Sequence, residues 1–359
     1  MQQWGLDVAA ISSPGPLLHD VAREGIQTHG IRMLRRVSPW CDLKALFALR
    51  RVLRAEAPDI VHTHTPKAGL LGMLSAWTVQ VPIRIHTYAG APYDGRRGLS
   101  VTLAKLADRL TALMATEVWS VGHELSTYLE AERIVKPGRL QIIGAGSSNG
   151  IDLQEFVPIA RDCPQQPPRF IWIGRLAADK GLDELMVMWA IIREELPRAT
   201  LEIVGELDER DPVAADLATR LQCDDRVQCV GFQLDIAKRL PKADVLLFTS
   251  RREGLPGVVL QAQAASVPVI ALRCRGATDA LVDGLGGRIF ERDAIGAAGR
   301  TAVDLIRQVS LWQAYRIAGR RFVLEHFERN AFHQAVFQRY REHLRQHDLA
   351  ISSHSTKAA

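Results

Sequence analysis

Residues 249–272 have the sequence TSRREGLPGVVLQAQAASVPVIAL, which predicts a loop, a helix and a buried strand in that order. The four apolar residues before it, Val245–Phe248, predict a parallel strand that is covered on both faces. Glycine and proline at 254–257 predict a turn, and 258–265 predicts a helix. A helix that begins directly after such a strand presents free N–H groups at the carboxyl edge of the sheet, which suits a phosphate.

Two polar side chains in this stretch predict a ligand site. Glu253 lies in the loop and Gln261 lies about two helical turns further on, so both can face one cleft. One would hold a sugar group while the other holds a pair of hydroxyls. The alternative is that Glu253 caps the helix and Gln261 is only solvated.

The segment SRREGLPGVVLQAQAASVPVIA resembles the E-x7-E segment of the retaining family 4 glycosyltransferases. Two positions differ from the family pattern, because Gln261 replaces the second glutamate and Ser266 replaces a glycine. The resemblance implies an α/β protein of the GT-B fold, with two Rossmann-like doubly wound parallel-sheet domains that face a central cleft. It also implies that Glu253 holds the donor sugar and that Gln261 lies at the ribose. The loop residues implied at the donor are Gly254, Leu255, Pro256 and Gly257.

A second donor motif follows the strand at 170–174. Residues 174–181, GRLAADKG, resemble the family's G-R-L-x-x-x-K-G, which implies that Arg175 and Lys180 bind the donor diphosphate. Negative charge develops on the leaving phosphate, and two fixed cations stabilise it without a metal. With Glu253 they are the predicted catalytic residues, although two solvated loop charges are the alternative. The remaining predicted donor-binding residues are Gly174, Gly205 and Phe232.

The predicted first domain contains HTHTPKAG at 62–69, which resembles a segment of bacterial surface-polysaccharide members of the family. It lies between a strand and a helix, which fits an anion or acceptor site. For His62 and His64 we favour a hydrogen-bonded pair over metal binding, because no third ligand is near. Asp94, in a later loop, would either bind the acceptor or cap the next helix. The acceptor-side candidates are His64, Thr65, Lys67, Gly90 and Asp94.

The composition is that of a globular protein, with 359 residues, 47% hydrophobic and 24% charged. No apolar run reaches the roughly 18 residues of a spanning helix, and the first residues do not resemble a signal peptide. The five cysteines are scattered and odd in number, which predicts reduced thiols in a cytoplasm. A peripheral location on the inner face of the plasma membrane is a further hypothesis.

Positive charge is concentrated in the first part of the chain. Residues 1–150 hold 17 Lys and Arg against 12 Asp and Glu, whereas 151–359 hold 28 of each. Basic residues on or before two amphipathic helices could touch anionic lipid. We favour core packing, because the apolar stripes of both helices are needed to cover the sheet. We do not expect nucleic acid as a partner, since no aromatic platform accompanies the charges. The basic residues are Lys44, Arg50, Arg51, Arg54, Arg96, Arg97, Lys105 and Arg109.

The predicted domain order follows from these motifs and from the segment GAGSSNGIDLQEF, which resembles the family's inter-domain segment. The chain begins as if at the end of a helix, so we expect the first strand, glycine-rich loop and helix of the family to be missing. Between the motifs we predict a strand at 30–34 and a helix after the acidic loop 206–211. The predicted parts are an acceptor-side domain 1–152, a linker 153–168, a nucleotide-sugar domain 169–328, a returning helix 329–346 and a disordered tail 347–359.

Three functions fit these observations. The leading hypothesis is a retaining, metal-independent hexosyltransferase without a cofactor, which moves a sugar from a nucleoside diphosphate, by family habit uridine, to a hydroxyl of a glycan or lipid-linked acceptor in surface-polysaccharide synthesis. A GT-B sugar-nucleotide 2-epimerase is the second, although its acidic and histidine groups are not evident at comparable positions. The third is a truncated paralogue that only binds nucleotide sugar. Gln261 favours this third hypothesis, as does Ala89, which stands where many members have a histidine or arginine.

Overall fold

A computed structural model of the chain describes residues 1–34, 36–147, 149–208, 211 and 223–349. The described chain alternates parallel strands with helices and divides into two units. The helix predicted after 206–211 and the tail predicted beyond residue 349 lie outside the described residues. The first unit comprises Met1–Val121, Ser126–Ile143 and the chain from His333 onward, and the second comprises Gly122–Leu125 and Gly144–Phe332.

The first unit contains two parallel sheets. One pairs β1 (Ala9–Ser12) with β2 (Gln27–Gly30). The other has the order β3, β4, β5, β6, which is also the chain order. Its strands are β3 (Ile60–His64), β4 (Ile83–Tyr88), β5 (Glu117–Ser120) and β6 (Leu140–Gln141). The helices up to this point are α1 (Pro16–Arg23), α2 (Pro39–Glu56), α3 (Pro66–Thr78), α4 (Leu99–Met114) and α5 (His123–Ala131).

Strand β2 lies earlier than the predicted strand at 30–34. The apolar residues that suggested this position continue past the end of the strand, where Ile31 is buried against Leu49 and Leu71. The backbone N–H of Met33 donates to the hydroxyl of Ser13 instead of to a neighbouring strand. The N–H of Ile31 still donates to the carbonyl of Ser12 in β1 at 2.8 Å, so pairing with β1 ends at Ile31 although the apolar segment continues.

The second unit contains one six-stranded parallel sheet. Its order is β12, β11, β10, β7, β8, β9, so the chain starts in the middle, moves to one edge and then builds the other edge. The order reverses between β7 and β10, and ligands of such sheets bind outside the carboxyl ends of the strands at that point. The strands are β7 (Arg169–Ile173), β8 (Thr200–Val204), β9 (Val227–Cys229), β10 (Val245–Phe248), β11 (Val269–Leu272) and β12 (Gly287–Phe290). The later helices are α6 (Leu182–Glu195), α7 (Ile236–Arg239), α8 (Gly257–Ala264), α9 (Ala277–Ala280), α10 (Ile295–Arg307), α11 (Val309–His326) and α12 (Arg329–Gln346).

Both faces of this sheet are covered. Alternate residues of β7 join different apolar clusters: Trp172 packs with Trp189 and Trp312 on one face, and Ile171 packs with Phe327 on the other. All four residues of β10 are buried. The prediction that this strand is covered on both faces is therefore confirmed, and the strand ends can be positioned rigidly.

Helix α4 packs opposite to the expected way. The apolar stripe was predicted to cover the sheet, yet its leucines are exposed and its buried residues are Asp108, Thr111 and Ala112. The carboxylate of Asp108 accepts a hydrogen bond from the Tyr93 hydroxyl at 2.8 Å, and its carbonyl accepts one from Tyr88 at 2.7 Å. Because these polar groups are satisfied inside, the helix can turn its leucines outward.

The chain from His333 onward packs on the first unit. The Tyr340 hydroxyl lies 2.5 Å from Nδ1 of His62, and the Arg339 guanidinium donates to the buried carboxylate of Glu117 at 2.9 Å. Burial alone would raise the pKa of Glu117, but hydrogen bonds from Arg339 and Trp119 lower it overall. Among the described residues, we find no helix with the length and apolar character needed to cross a membrane.

Candidate functional site

The ends of β7, β8 and β9 approach one another closely at two glycines. Gly205 has φ +151°, and a Cβ on it would lie 1.7 Å from the carbonyl oxygen of Gly174. The N–H of Gly174 donates to the carbonyl of Val204 at 3.0 Å, and the N–H of Gly205 donates to the carbonyl of Gly231 at 2.9 Å. Only glycine fits at position 205. The two predicted donor-binding residues Gly174 and Gly205 therefore present backbone atoms without side chains at the strand ends.

The loop after β7 is fixed to the loop after β10. Gly181 has φ +68°, and a Cβ on it would lie 2.1 Å from the carbonyl oxygen of Thr249. The Thr249 hydroxyl donates to the carbonyl of Lys180 at 2.9 Å and accepts from the Trp172 indole at 3.0 Å. These contacts hold the backbone of Lys180 directly beside the end of β10.

Lys180 and Glu253 meet at the point where the strand order reverses. The Lys180 ammonium donates to the Glu253 carboxylate at 2.5 Å, and the two side chains are 15% and 21% exposed. Two residues 73 positions apart are thus brought into contact by the adjacency of β7 and β10. The pair is partly shielded from water, which strengthens its electrostatic interaction.

Arg175 lies at the same edge but faces other acids. Its guanidinium donates to Asp208 and lies 4.0 Å from the carboxylate of Asp179, and its side chain is 56% exposed. The structure therefore places Arg175 directly after Gly174 without a contact to the Lys180–Glu253 pair. It is the more solvated of the two predicted diphosphate ligands.

Helix α8 begins beside this pair without a side-chain cap. Its N-cap residue is Pro256, so the alternative that Glu253 caps the helix is wrong. Gly254 and Pro256 are buried, Leu255 is partly buried and Gly257 is exposed. Uncapped N–H groups at a helix N-terminus favour an anion. Gln261 is partly exposed on this helix.

The substitution of Ser266 for the family's glycine has a backbone consequence. Ser266 has φ +56°, in the left-handed region where glycine is at ease and other residues are strained. Its N–H donates to Gln263 at 2.9 Å, and its carbonyl accepts from Arg316 at 3.0 Å. The turn between α8 and β11 therefore has a left-handed conformation even though serine stands in place of glycine.

Supporting ion pairs around the two loops were not predicted. Arg252 donates to Asp179 at 3.1 Å, and Glu184 accepts from Arg251 at 3.0 Å and from Arg292 at 2.6 Å. Burial alone would raise the pKa of Glu184, but its arginine partners lower it overall. The adjacent arginines before Glu253 were visible in the sequence, but their acidic partners are distant along the chain.

Two further features of the second unit concern predicted donor-binding residues. Phe232 follows β9 and is 60% exposed, so its ring is accessible to a base. Glu124, whose segment groups with this unit, accepts hydrogen bonds from the N–H of Gly276 and, at 2.6 Å, from the Thr278 hydroxyl. A Cβ on Gly276 would lie 2.4 Å from the carbonyl of Gly254, so this loop supports the predicted donor loop.

The acceptor-side candidates lie in the first unit. His64 and Thr65 are exposed at the end of β3, and Thr65 has φ +65°, which is rare for a β-branched residue and strained. Lys67 instead donates to Asp42 at 2.7 Å and to the carbonyl of Arg36 at 2.5 Å. Thr65 is thus strained and His64 exposed, whereas Lys67 ties α3 to α2.

Gly90 and Asp94 lie in the loop after β4, partly exposed. The next helix, α4, has Gly98 as its N-cap, so the alternative cap role of Asp94 is wrong. The hydrogen-bonded interpretation of His62 is confirmed, since Nε2 lies 2.7 Å from the Thr87 hydroxyl. Burial lowers the pKa of His62 well below its usual value. Within the described residues, no group of three or more histidine, cysteine or acidic side chains could hold a metal ion.

Family models match both parts of the chain. Residues 1–146 match the model described as "Glycosyl transferase 4-like domain", and residues 167–308 match "Glycosyl transferases group 1". The second match contains the six-stranded sheet from β7 to β12 and the Lys180–Glu253 pair. Most of the chain is thus covered by two glycosyltransferase models in sequence order.

Individual relatives agree with these matches. The chain is 27% identical over 353 residues to the capsular polysaccharide biosynthesis glycosyltransferase CapM of Staphylococcus aureus, covering 96% of this chain and 92% of that protein. It is 26% identical over 283 residues, covering 75% and 72%, to an Escherichia coli protein named UDP-Gal:alpha-D-GlcNAc-diphosphoundecaprenol alpha-1,3-galactosyltransferase. Among solved structures, Anabaena Alr3699/HepE in complex with UDP and glucose superposes with a TM-score of 0.76 at 16% identity, covering 93% of this chain and 99% of that one. The fold, the two family matches and these relatives together identify the chain as a glycosyltransferase of the GT-B fold.

Proposed function

We propose that the chain is a retaining glycosyltransferase that moves a sugar from a UDP-linked donor to a hydroxyl acceptor during the synthesis of a cell-surface polysaccharide. The observation that carries the proposal is the Lys180–Glu253 contact of 2.5 Å at the strand-order reversal, beside the uncapped start of α8. It joins a cation, an acid and backbone N–H groups where a sugar diphosphate would bind.

Each group has a distinct task in this proposal. The Lys180 ammonium binds the diphosphate and stabilises the negative charge that grows on it as the glycosidic bond to phosphate breaks. Arg175 contributes a second, more solvated cation, and the N–H groups of the 254–257 loop contribute dipoles. Glu253 accepts hydrogen bonds from the sugar, and Gln261 bonds the ribose hydroxyls. These residues require no cofactor and no metal for this step.

The relatives support the donor and acceptor classes. The printed name of the Escherichia coli relative contains UDP-galactose and a diphosphoundecaprenol acceptor, and a Campylobacter jejuni relative is named for a diphospho-undecaprenol acceptor. We infer a lipid-linked glycan as acceptor, bound near His64, Thr65, Gly90 and Asp94, and a cytoplasmic enzyme that contacts the inner face of the plasma membrane.

The test is titration calorimetry with UDP, followed by transfer assays with UDP-sugars and a polyprenyl-diphosphate sugar. Lys180→Ala should weaken UDP binding about tenfold to a hundredfold, the value of one charge-assisted hydrogen bond. The matched control is Lys242→Ala. Lys242 is exposed and precedes β10, so it lies at the amino ends of the strands, away from the Lys180–Glu253 pair at their carboxyl ends. Lys242→Ala should bind UDP with the same affinity as the parent chain.

The outcomes separate the competing functions. Equal UDP affinity in Lys180→Ala and Lys242→Ala would contradict the role of Lys180. Binding without turnover would identify a nucleotide-sugar binder, and release of a 2-epimer without acceptor would identify an epimerase. The configuration of the anomeric carbon in the product, measured by nuclear magnetic resonance, decides between retention and inversion.

A further inference from the structure

The first unit contains an open pocket of about 620 Å³ that the site described above does not use. It lies at the amino ends of the four-stranded sheet, between α2, the end of α3 and the start of β4, and is here called the amino-end pocket. The acceptor-side candidates follow the carboxyl ends of β3 and β4. At about 3.3 Å per residue, the six residues of β4 (Ile83–Tyr88) separate those two ends by about 17 Å. The amino-end pocket is therefore distinct from the candidate site.

Arg50 of α2 brings an incompletely bonded cation to this pocket. Its side chain is partly buried, and its Nε is buried without a hydrogen-bond acceptor among the described residues. Buried polar atoms of folded proteins nearly always have a partner, and an unpartnered donor on a charged group is unfavourable. An oxygen atom of a ligand in the pocket would supply the missing acceptor.

Arg84 of β4 adds a second cation, which is held by uncharged partners. Its Nε donates to the carbonyl of Met114 at 2.7 Å, and its Nη1 donates to the carbonyl of Val81 at 2.5 Å. Burial lowers the pKa of Arg84. None of the described residues that line the pocket is acidic. The pocket therefore presents two guanidinium groups without a carboxylate, and the planar guanidinium matches the oxygens of a carboxylate or a phosphate.

The other lining residues fit a ring that carries hydroxyl groups. The Trp77 side chain is 55% exposed, so its flat ring is accessible for packing against the apolar face of a sugar. Thr78 and Gln80 also line the pocket, and their hydroxyl and amide groups can bond uncharged hydroxyls. Gln80 has φ +63°, where glycine would be unstrained. The chain thus keeps a polar side chain at the pocket although the backbone there favours glycine.

We propose that the amino-end pocket binds an anionic sugar, with the sugar ring on Trp77 and its carboxylate or phosphate between Arg50 and Arg84. A neutral sugar would leave both guanidinium groups without an oxyanion, and an inorganic anion would leave the Trp77 ring unused. Two sources share this chemistry, namely a uronic acid unit of a glycan and a sugar phosphate. The inference goes beyond the transfer reaction, because it adds a carbohydrate site that takes part in neither donor nor acceptor binding.

The experiment is saturation-transfer difference NMR of the full chain, titrated separately with glucuronate, glucose 6-phosphate and glucose. The parent chain should bind one or both anionic sugars at least about tenfold more tightly than glucose, as expected for charge-assisted hydrogen bonds to arginine. Tighter binding of glucuronate would identify a uronic acid unit as the ligand. Tighter binding of glucose 6-phosphate would identify a sugar phosphate.

Two variants with matched controls locate the binding. Arg50→Gln should weaken binding of the anionic sugar at least about tenfold. Its control is Arg51→Gln, which removes the same charge from an exposed neighbour on α2 that does not line the pocket. Trp77→Ala should weaken binding severalfold through loss of the ring contact. Its control is Trp40→Ala, because Trp40 is 79% exposed and lies outside the pocket lining. Circular dichroism checks that each variant is folded.

Two results overturn the proposal. One is that neither anionic sugar binds more tightly than glucose. The other is that Arg50→Gln and Arg51→Gln weaken binding equally, which would show a general effect of net charge.

Calorimetry with UDP separates this inference from the proposed function. Arg50→Gln should keep the UDP affinity of the parent chain, whereas the proposed function depends on the effect of Lys180→Ala. Loss of UDP affinity in Arg50→Gln would assign the pocket to a nucleotide and also overturn the inference. Failure of anionic-sugar binding with intact UDP binding would leave the proposed function standing.

Discussion

Replacement of Gly181 by alanine tests whether the backbone contact between the two loops positions Lys180. The added Cβ would lie 2.1 Å from the Thr249 carbonyl oxygen, a backbone atom that cannot rotate away. Thr249 also bonds the carbonyl of Lys180 and the indole of Trp172. Relief of the clash must therefore move the Lys180 loop away from the end of β10.

The expected cost has two parts. Alanine in the left-handed region costs about 1 to 2 kcal/mol relative to glycine. The forced shift of packed backbone adds about 1 to 3 kcal/mol, as in other overpacked sites. We expect Gly181→Ala to lower the free energy of unfolding by about 2 to 5 kcal/mol. A displaced ammonium would also weaken UDP binding about tenfold or more.

The matched control is Gly284→Ala in the same unit. Gly284 has φ +81°, and a Cβ there would meet nothing within 4 Å, so only the first part of the cost applies. Guanidinium unfolding followed by tryptophan fluorescence gives the stabilities, and calorimetry gives the UDP affinities. If Gly181→Ala and Gly284→Ala lose the same stability and both keep parent UDP affinity, the loop contact does not position Lys180.

Three further predictions address other groups. Glu253→Gln should tighten UDP binding severalfold, because it removes the carboxylate that competes for Lys180, and should lower the transfer rate; weaker binding would contradict the competition. Burial raises the pKa of Asp108 to about 6 from 3.8, despite the opposing hydrogen bond from Tyr93, so stability contributed by the protonated acid is lost as pH rises from about 4 to about 6. Asp108→Asn should remove this decline, which amounts to about 3 kcal/mol, in unfolding curves measured across that pH range. Burial, with a smaller contribution from Glu253, raises the pKa of Cys274 to about 12. Iodoacetamide at pH 8 should therefore alkylate Cys274 at least about a hundredfold more slowly than the exposed Cys163, as measured by mass spectrometry.

The second unit was predictable because its strands are short, apolar and bounded by glycine. Val245–Phe248 was predicted at its observed bounds, and the strand predicted at 170–174 lies one residue from β7, Arg169–Ile173. Fully buried parallel strands leave continuous apolar runs, and the motif residues follow the strand ends directly. The contact between Lys180 and Glu253 was not predicted; the sequence indicated only that both loops follow strand ends at the carboxyl edge of the sheet.

The partners of the site could not be predicted in the same way. Arg175 donates to Asp208, and Glu184 accepts hydrogen bonds from both Arg251 and Arg292. These pairs depend on where each side chain points from its loop, which the sequence does not indicate. The orientation of helix α4 was predicted wrongly for a different reason. Its 3.6-residue periodicity identified an amphipathic helix, but periodicity cannot say which face is inside when the polar face is satisfied by Tyr88 of β4 and Tyr93 of the following loop.

The cations at the strand-order reversal are each paired with an acid, which bears on how a donor binds. Lys180 bonds Glu253, Arg175 bonds Asp208 and Arg252 bonds Asp179. Paired charges produce a weaker long-range field than single ones, so a diphosphate gains little attraction before contact. In the proposed function, the diphosphate therefore exchanges places with a carboxylate. Glu253, once displaced from the ammonium, would accept hydrogen bonds from the sugar while Lys180 binds phosphate. We therefore expect the intact sugar nucleotide to bind more tightly than the free nucleoside diphosphate, which has no sugar to bond the displaced acid.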